Sequence, residues 1–157
     1  MKINIGDIFI IPLKENRYGY GQVVEFGAFY QTMIAFDFIT HEKVSNIQEI
    51  LSKDIVFFIR TNTAFIEKGY WNVLGSAELP ANLNMPKYYI RNGLDDFEVV
   101  TASEEFVRIA TEVDMNAYSN NSTFTPGWLE DALNDMVDEQ DWEEEYEDII
   151  YKPIEHH

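Results

Sequence analysis

Eight carboxylates crowd thirteen residues in the stretch DEQDWEEEYEDII, Asp138 to Ile150, with no Lys or Arg among them. Side chains of this type can ligate a cation, move protons in pairs, or present an anionic surface to a cationic partner. The first use lacks its pattern: no D-x-[DN]-x-[DN]-G loop with a distal Glu is present. Asp135, Asp138 and Asp141 recur every three residues, a spacing that does not wrap a cation as that loop does. Paired acids of the glycosidase kind are easy to find, for instance Asp95–Asp96 and Glu104–Glu105, but among 28 acids such pairs arise by chance.

The third use has more behind it. Trp142 and Tyr146, together with Trp128, interleave with the carboxylates, and aromatic anchors in a charged surround resemble interface hot spots. On this reading the partner-facing residues are Asp138, Asp141, Trp142, Glu143, Glu144, Glu145, Tyr146, Glu147 and Asp148. Its plain counterpart is a solvated helix face whose aromatics pack inward. The residues alone leave both open.

Other chemistries find little. The chain has no Cys, and His41 is the one histidine outside the terminal pair. Ser-His-Asp, Cys-His and zinc arrangements therefore lack their parts, and His41 reads as an exposed residue of a THEK turn. Gly19 and Gly21 precede a strand-like run, not a helix, so they do not form a phosphate loop. No catalytic residue, metal site or cofactor is expected.

The net charge is −17, and it is lopsided. Residues 1–111 hold fourteen acids and ten bases; residues 112–157 hold fourteen acids and one base, Lys152. Such a field repels nucleic acid and anionic membrane, because a phosphate backbone is bound through cations. It favours a basic protein surface. The N-terminal apolar run is broken by Gly6, Asp7 and Pro12, unlike a signal peptide. The expectation is a soluble, cytoplasmic protein of undetermined oligomeric state.

The elements that must position these residues read as α+β. Ile5–Leu13, Tyr18–Phe26 and Tyr30–Ile39 are apolar, β-branched strands forming a meander, expected as an antiparallel, barrel-like sheet. Pro12 belongs at an edge or a strand end, and the glycines 19 and 21 face one side, where a ring or backbone can approach. Asn46–Leu51 reads as a short helix capped by Ser45. Asp54–Thr61 is a core strand, and Trp71 and Val73 sit on another that Gly75 ends. Strands follow at Lys87–Arg91 and Phe97–Thr101. Ser103 is expected to cap a helix, Glu104–Ile109. After the polar connector NAYSNNSTFTPG, Thr125 and Pro126 start a C-terminal acidic amphipathic helix. Its apolar stripe is Trp128, Leu129, Ala132, Leu133, Met136 and Val137; Glu130, Asp131, Asp135 and Asp138 lie opposite. The helix is expected to run through Trp142 and Tyr146 to Ile150, with Pro153 stopping it. The organisation expected is a single domain, 1–157: a β-rich core (1–111), a connector (112–126), the acidic helical segment (127–151) and a tail (152–157). The IEHH end is either native or a purification-tag remnant and is set aside.

The stretch GDIFIIPLKENRYGYGQVVEF carries a resemblance. Gly6-Asp7-Ile8-Phe9, Ile11-Pro12-Leu13 and Tyr18-Gly19-Tyr20-Gly21-Gln22-Val23 resemble the opening of the immunity protein 26 family of bacterial polymorphic toxin systems. Weaker similarity extends to Trp71 and Gly75 in YWNVLG. The resemblance implies an antitoxin that binds and inhibits a cognate toxin, with no catalytic residues and no cofactor. Gly6, Pro12, Gly19 and Gly21 read as fold-setting, so the contact surface falls to the acidic run, which suits the basic cleft of a nuclease toxin. Rival readings are a small-ligand or peptide module using a Tyr18/Tyr20/Phe29 patch, a hydrolase with two acids at a barrel mouth, and a DNA-mimic inhibitor of a housekeeping protein.

Overall fold

The computed structural model describes residues 2–27, 30–81, 83–92, 96–102, 105–120, 122–138 and 142–152. In chain order the elements are β1 (Asp7–Leu13), β2 (Arg17–Phe26), β3 (Gln31–Phe36), α1 (Ile47–Leu51), β4 (Ile55–Thr61), α2 (Ala64–Glu67) and β5 (Asn72–Ser76). Then come β6 (Tyr88–Asn92), β7 (Asp96–Val100), β8 (Phe106–Ile109), α3 (Glu112–Ala117), β9 (Ser119–Asn120), α4 (Pro126–Val137) and a 3-10 turn, Glu144–Ile149. They fall into two compact units, Met1–Pro80 with Thr123–Ile150, and Ala81–Ser122 with Tyr151–His157. Among the described residues no helix is long and apolar enough to cross a membrane.

The first unit is built on an antiparallel five-stranded sheet of order β4-β3-β2-β1-β5. Alternation sends Phe9, Ile11, Val23, Met33, Ala35, Phe57 and Ile59 into the core that Leu129, Ala132 and Leu133 of α4 close. Ile8, Ile10, Tyr20, Ile34 and Phe58 alternate with these and are also buried, so the central strands are covered on both faces. The two motif glycines do what their spacing predicts. A Cβ on Gly21 would lie 2.5 Å from the Phe9 ring, and one on Gly19 would lie 3.0 Å from Leu133. The bare backbone leaves room for the Phe9 ring, which stacks on Trp71 with centroids 5.3 Å apart and planes 1° from parallel. Pro12 sits near the end of β1, past Ile10, where pairing with β5 stops.

The sheet is not closed into a barrel, contrary to the sequence expectation. Closure would need β4 to pair with β5, yet the outer edge of β4 is taken by the C-terminal segment. Ile150 bridges Phe57, and the Phe124 N–H donates to Arg60 O at 2.9 Å.

Other boundaries also move. Asn46, not Ser45, caps α1, its side chain accepting from the Glu49 N–H. Trp71 lies just before β5, and Gly75 is inside that strand.

The second unit has a four-stranded sheet of order β8-β7-β6-β9, with β9 parallel to β6. Residues 106–109, expected as the end of a helix, form β8, paired antiparallel with β7. The sequence FVRI holds β-branched and aromatic side chains that suit a pleated strand. The proposed cap Ser103 and Glu104 lie outside the described residues. The segment expected as a connector, 112–126, contains α3, which begins with a capping box: Thr111 accepts from the Asp114 N–H while Asp114 accepts from the Thr111 N–H.

Candidate functional site

α4 starts as its sequence demands. Thr125 is extended (φ −68°, ψ 154°) and Pro126 takes the first turn, where no N–H is required. Leu129, Ala132 and Leu133 face inward, and each buried Leu is worth about 1.5–3 kcal/mol. Asn134 is buried among them and accepts the Lys14 N–H at 2.9 Å, tying the β1–β2 turn to the helix. Val137, expected on the apolar stripe, is 45% exposed.

The acids of α4 do not form one solvated face. Asp131 and Asp138 are exposed, whereas Glu130 and Asp135 are half-buried. Glu130 accepts from the Trp71 indole N–H at 3.4 Å. Burial pushes its carboxyl above the ordinary range, and the indole partly offsets this.

The helix ends at Val137, with Asp138 extended (φ −107°, ψ 90°), and does not continue through Trp142. Asp141 lies outside the described residues, as does Pro153. Chain from Glu144 to Ile149 then forms a 3-10 turn. In a 3-10 turn, residues three apart share a face, so Tyr146 and Ile149 both point into the core. Tyr146 is 2% exposed. Its hydroxyl donates to Asp135 Oδ2 at 2.6 Å. Burial, then this carboxylate, hold the phenol well above its usual range.

Aromatic rings hold the turn down. Phe124 stacks on Trp128 at 5.7 Å, Trp128 meets Tyr146 at 4.8 Å, Tyr146 meets Trp142 edge-on at 4.9 Å, and Trp142 stacks on Phe57 at 6.2 Å. Such ring pairs add about 0.5–1.5 kcal/mol each beyond their buried area. Tyr146 is therefore a core anchor of the turn and not a partner-facing ring; the packing reading holds for it. Trp142 is half-buried, and its indole N–H donates to Glu147 at 3.3 Å. Glu143, Glu144, Glu145, Glu147 and Asp148 are all exposed around this anchor. The geometry brings five of the expected acids onto one turn whose inner face is fixed. Apart from the Glu147 oxygen that accepts the Trp142 indole N–H, their carboxylates are turned to solvent, where they can meet cationic donors.

The remaining candidates separate. His41 is exposed in a bend. Tyr20 is fully buried, and its hydroxyl is shared with Thr40 at 2.7 Å and the Val44 N–H at 2.9 Å, so it is not part of an exposed ligand patch. Phe29, Asp95 and Glu104 lie outside the described residues. Among the described residues no group of three His, Asp or Glu is placed to hold a metal ion.

The motif residues at the N-terminus are structural. Gly6 has φ +95°, a conformation open to glycine, and its N–H donates to Val23 O while its carbonyl accepts from Ala77. Asp7 Oδ2 accepts the Asn4 N–H at 2.8 Å. Gln22 of the same motif is fully buried and donates to Gly6 O at 3.2 Å and Ala77 O at 3.1 Å.

The family model described as Immunity protein 26 matches residues 4–97, more than half of the chain. No curated protein matches, and no solved structure matches. The match spans the five-stranded sheet with its glycines and Trp71, and it stops short of the acidic turn. The chain belongs to the immunity protein 26 family.

Proposed function

We propose that this protein is an antitoxin that binds a cationic toxin domain and inhibits it by occupancy, without catalysis of its own. Glu143, Glu144, Glu145, Glu147 and Asp148 make the contact, with the half-buried Trp142 beside them, and Asp138 and Asp141, which precede them in the sequence, add to it. The observation that carries this is the 3-10 turn. Its carboxylates face out while Tyr146 and Ile149 lock it from below. An anionic row held in place loses little conformational entropy on binding. The toxin class it suits is a nuclease of a polymorphic toxin system, whose cleft is basic because its substrate is a polyphosphate. The carboxylates stand in for those phosphates. Charge complementarity lifts association from about 10⁵–10⁶ toward about 10⁸–10⁹ M⁻¹s⁻¹ at low salt. Fast capture in the cytoplasm protects the producing cell.

The test is capture of partners from a source-strain lysate at low and moderate salt, followed by purification of the captured domain and assay of its activity. The reading expects one basic toxin domain, inhibited at equal stoichiometry. A partner without toxic activity, or none at either salt, would overturn it.

A further inference from the structure

Among the described residues, no strand pairs with the outer edge of one strand in the second unit. β8 is the terminal strand of its sheet. The Ala110 N–H donates to Phe97 O on β7. Alternation along an antiparallel ladder therefore turns the Ile109 N–H and C=O outward. Phe106 and Ile109 are each 60% exposed, and Val113 on the following helix is 66% exposed. Folded proteins guard such edges with charge, proline or a covering segment. The edge of β4 is covered by Ile150 and Phe124. β8 has no proline, and its one cation, Arg108, is held by Asp114 at 2.7 Å. What remains is an apolar strand with exposed acids, Glu105 and Glu112, just before and just after it.

We propose that the β8 edge accepts an extended segment of the cationic toxin as an added strand. This rests on the antitoxin reading and deepens it by naming a second contact. Main-chain pairing with Ile109 supplies affinity, Phe106 and Ile109 receive the segment's apolar side chains, and Glu105 and Glu112 receive its Lys or Arg. Charge selects this occupant over a second copy of the chain, which would bring −17 against −17.

The probe is a short capped peptide of alternating Lys and Val, titrated into the isotope-labelled full chain and followed by NMR. The proposal expects shifts at Phe106 to Ile109 and slowed exchange of the Ile109 N–H. An alternating Glu–Val peptide, and a Lys–Val peptide interrupted by Pro, should leave these resonances unmoved. Ile109→Pro removes the outward N–H while sparing the ladder to β7, and should weaken the peptide about tenfold. Phe106→Lys probes the same edge by charge should the proline variant not fold.

An unmoved β8 would overturn the proposal, as would equal binding of the Glu–Val peptide. A concentration-dependent dimer abolished by Ile109→Lys would do so too, by showing a second copy on the edge. Peptide pairing at β8 alongside failure of toxin capture would sink the antitoxin reading, and with it the toxin as occupant, while showing that the edge accepts a cationic strand. Toxin capture unaffected by Ile109→Lys would sink only this one.

Discussion

The Tyr146 hydroxyl and the Asp135 carboxylate meet at 2.6 Å, joining the acidic turn to α4 across a break in the helix. A hydrogen bond to a charged group contributes about 1.5–3 kcal/mol net. Asp135 is half-buried, so Tyr146→Phe should cost about 1.5 kcal/mol in urea unfolding. Tyr146→Ala also empties a core site and should cost about 3–5 kcal/mol, as large aromatic truncations do. That variant should also slow toxin association, because its carboxylates are no longer held in place.

Gly21→Ala sets a methyl group 2.5 Å from the Phe9 ring and 2.8 Å from Ile34 O. The backbone oxygen cannot give way cheaply, so overpacking should cost about 1–3 kcal/mol. The Phe9–Trp71 stack must shift, and Trp fluorescence reports it. An unchanged unfolding midpoint would show that the glycine is not required there.

The β1–β2 turn stores strain. Glu15 and Asn16 have φ of 58° and 56°, the left-handed region in which Gly and Asn are tolerated. The Glu15–Arg17 ion pair, 3.8 Å long with Glu15 80% exposed, offers little in return. Replacing Glu15-Asn16 by Asn-Gly, the favoured type I′ sequence, should stabilise the chain by about 1 kcal/mol. Chemical denaturation measures it.

Two carboxyls should respond to pH in opposite senses. The Arg108 guanidinium, then the Thr111 N–H, hold Asp114 below its ordinary 3.8, at about 2. Its folded value is depressed, so its stabilisation is present above about pH 4 and lost as pH falls toward 2. Asp114→Asn should destabilise at neutral pH and match the parent at the acid end. Glu130 is raised by burial. Its ionised form is the disfavoured one, so stability falls as pH rises through its folded value. Glu130→Gln should therefore stabilise at neutral pH while keeping an acceptor for the Trp71 indole. Unfolding midpoints against pH, parent beside each variant, decide both.

Much of the first unit was legible because its signals are local. β1 to β4 are dense apolar runs, and the two-residue spacing of Gly19 and Gly21 pointed to the close approach that Leu133 makes at one and the Phe9 ring at the other. Thr125-Pro126 announced the start of α4. Its end was not legible, because Tyr146 and Ile149 are three apart, a spacing shared by α and 3-10 helices. Like charges three and four apart disfavour an α-helix there. The barrel expectation failed on a long-range event, the capture of the β4 edge by residues 124 and 150. β8 was mistaken for helix because a Ser followed by Glu suggests a cap, whereas pairing with β7 decides the outcome. Of the candidate site, the exposed acids were readable from charge alone. The inward turn of Tyr146 was not, since a ring amid carboxylates serves equally as anchor or core.

The most direct test of the account is the association rate of the captured toxin domain, at several salt concentrations, with the parent chain and with a variant carrying Glu143→Gln, Glu144→Gln, Glu145→Gln, Glu147→Gln and Asp148→Asn. The variant should associate at least about tenfold more slowly at low salt, with a flattened salt dependence. Equal rates and equal slopes for the two proteins would contradict it and remove the acidic turn from the interface.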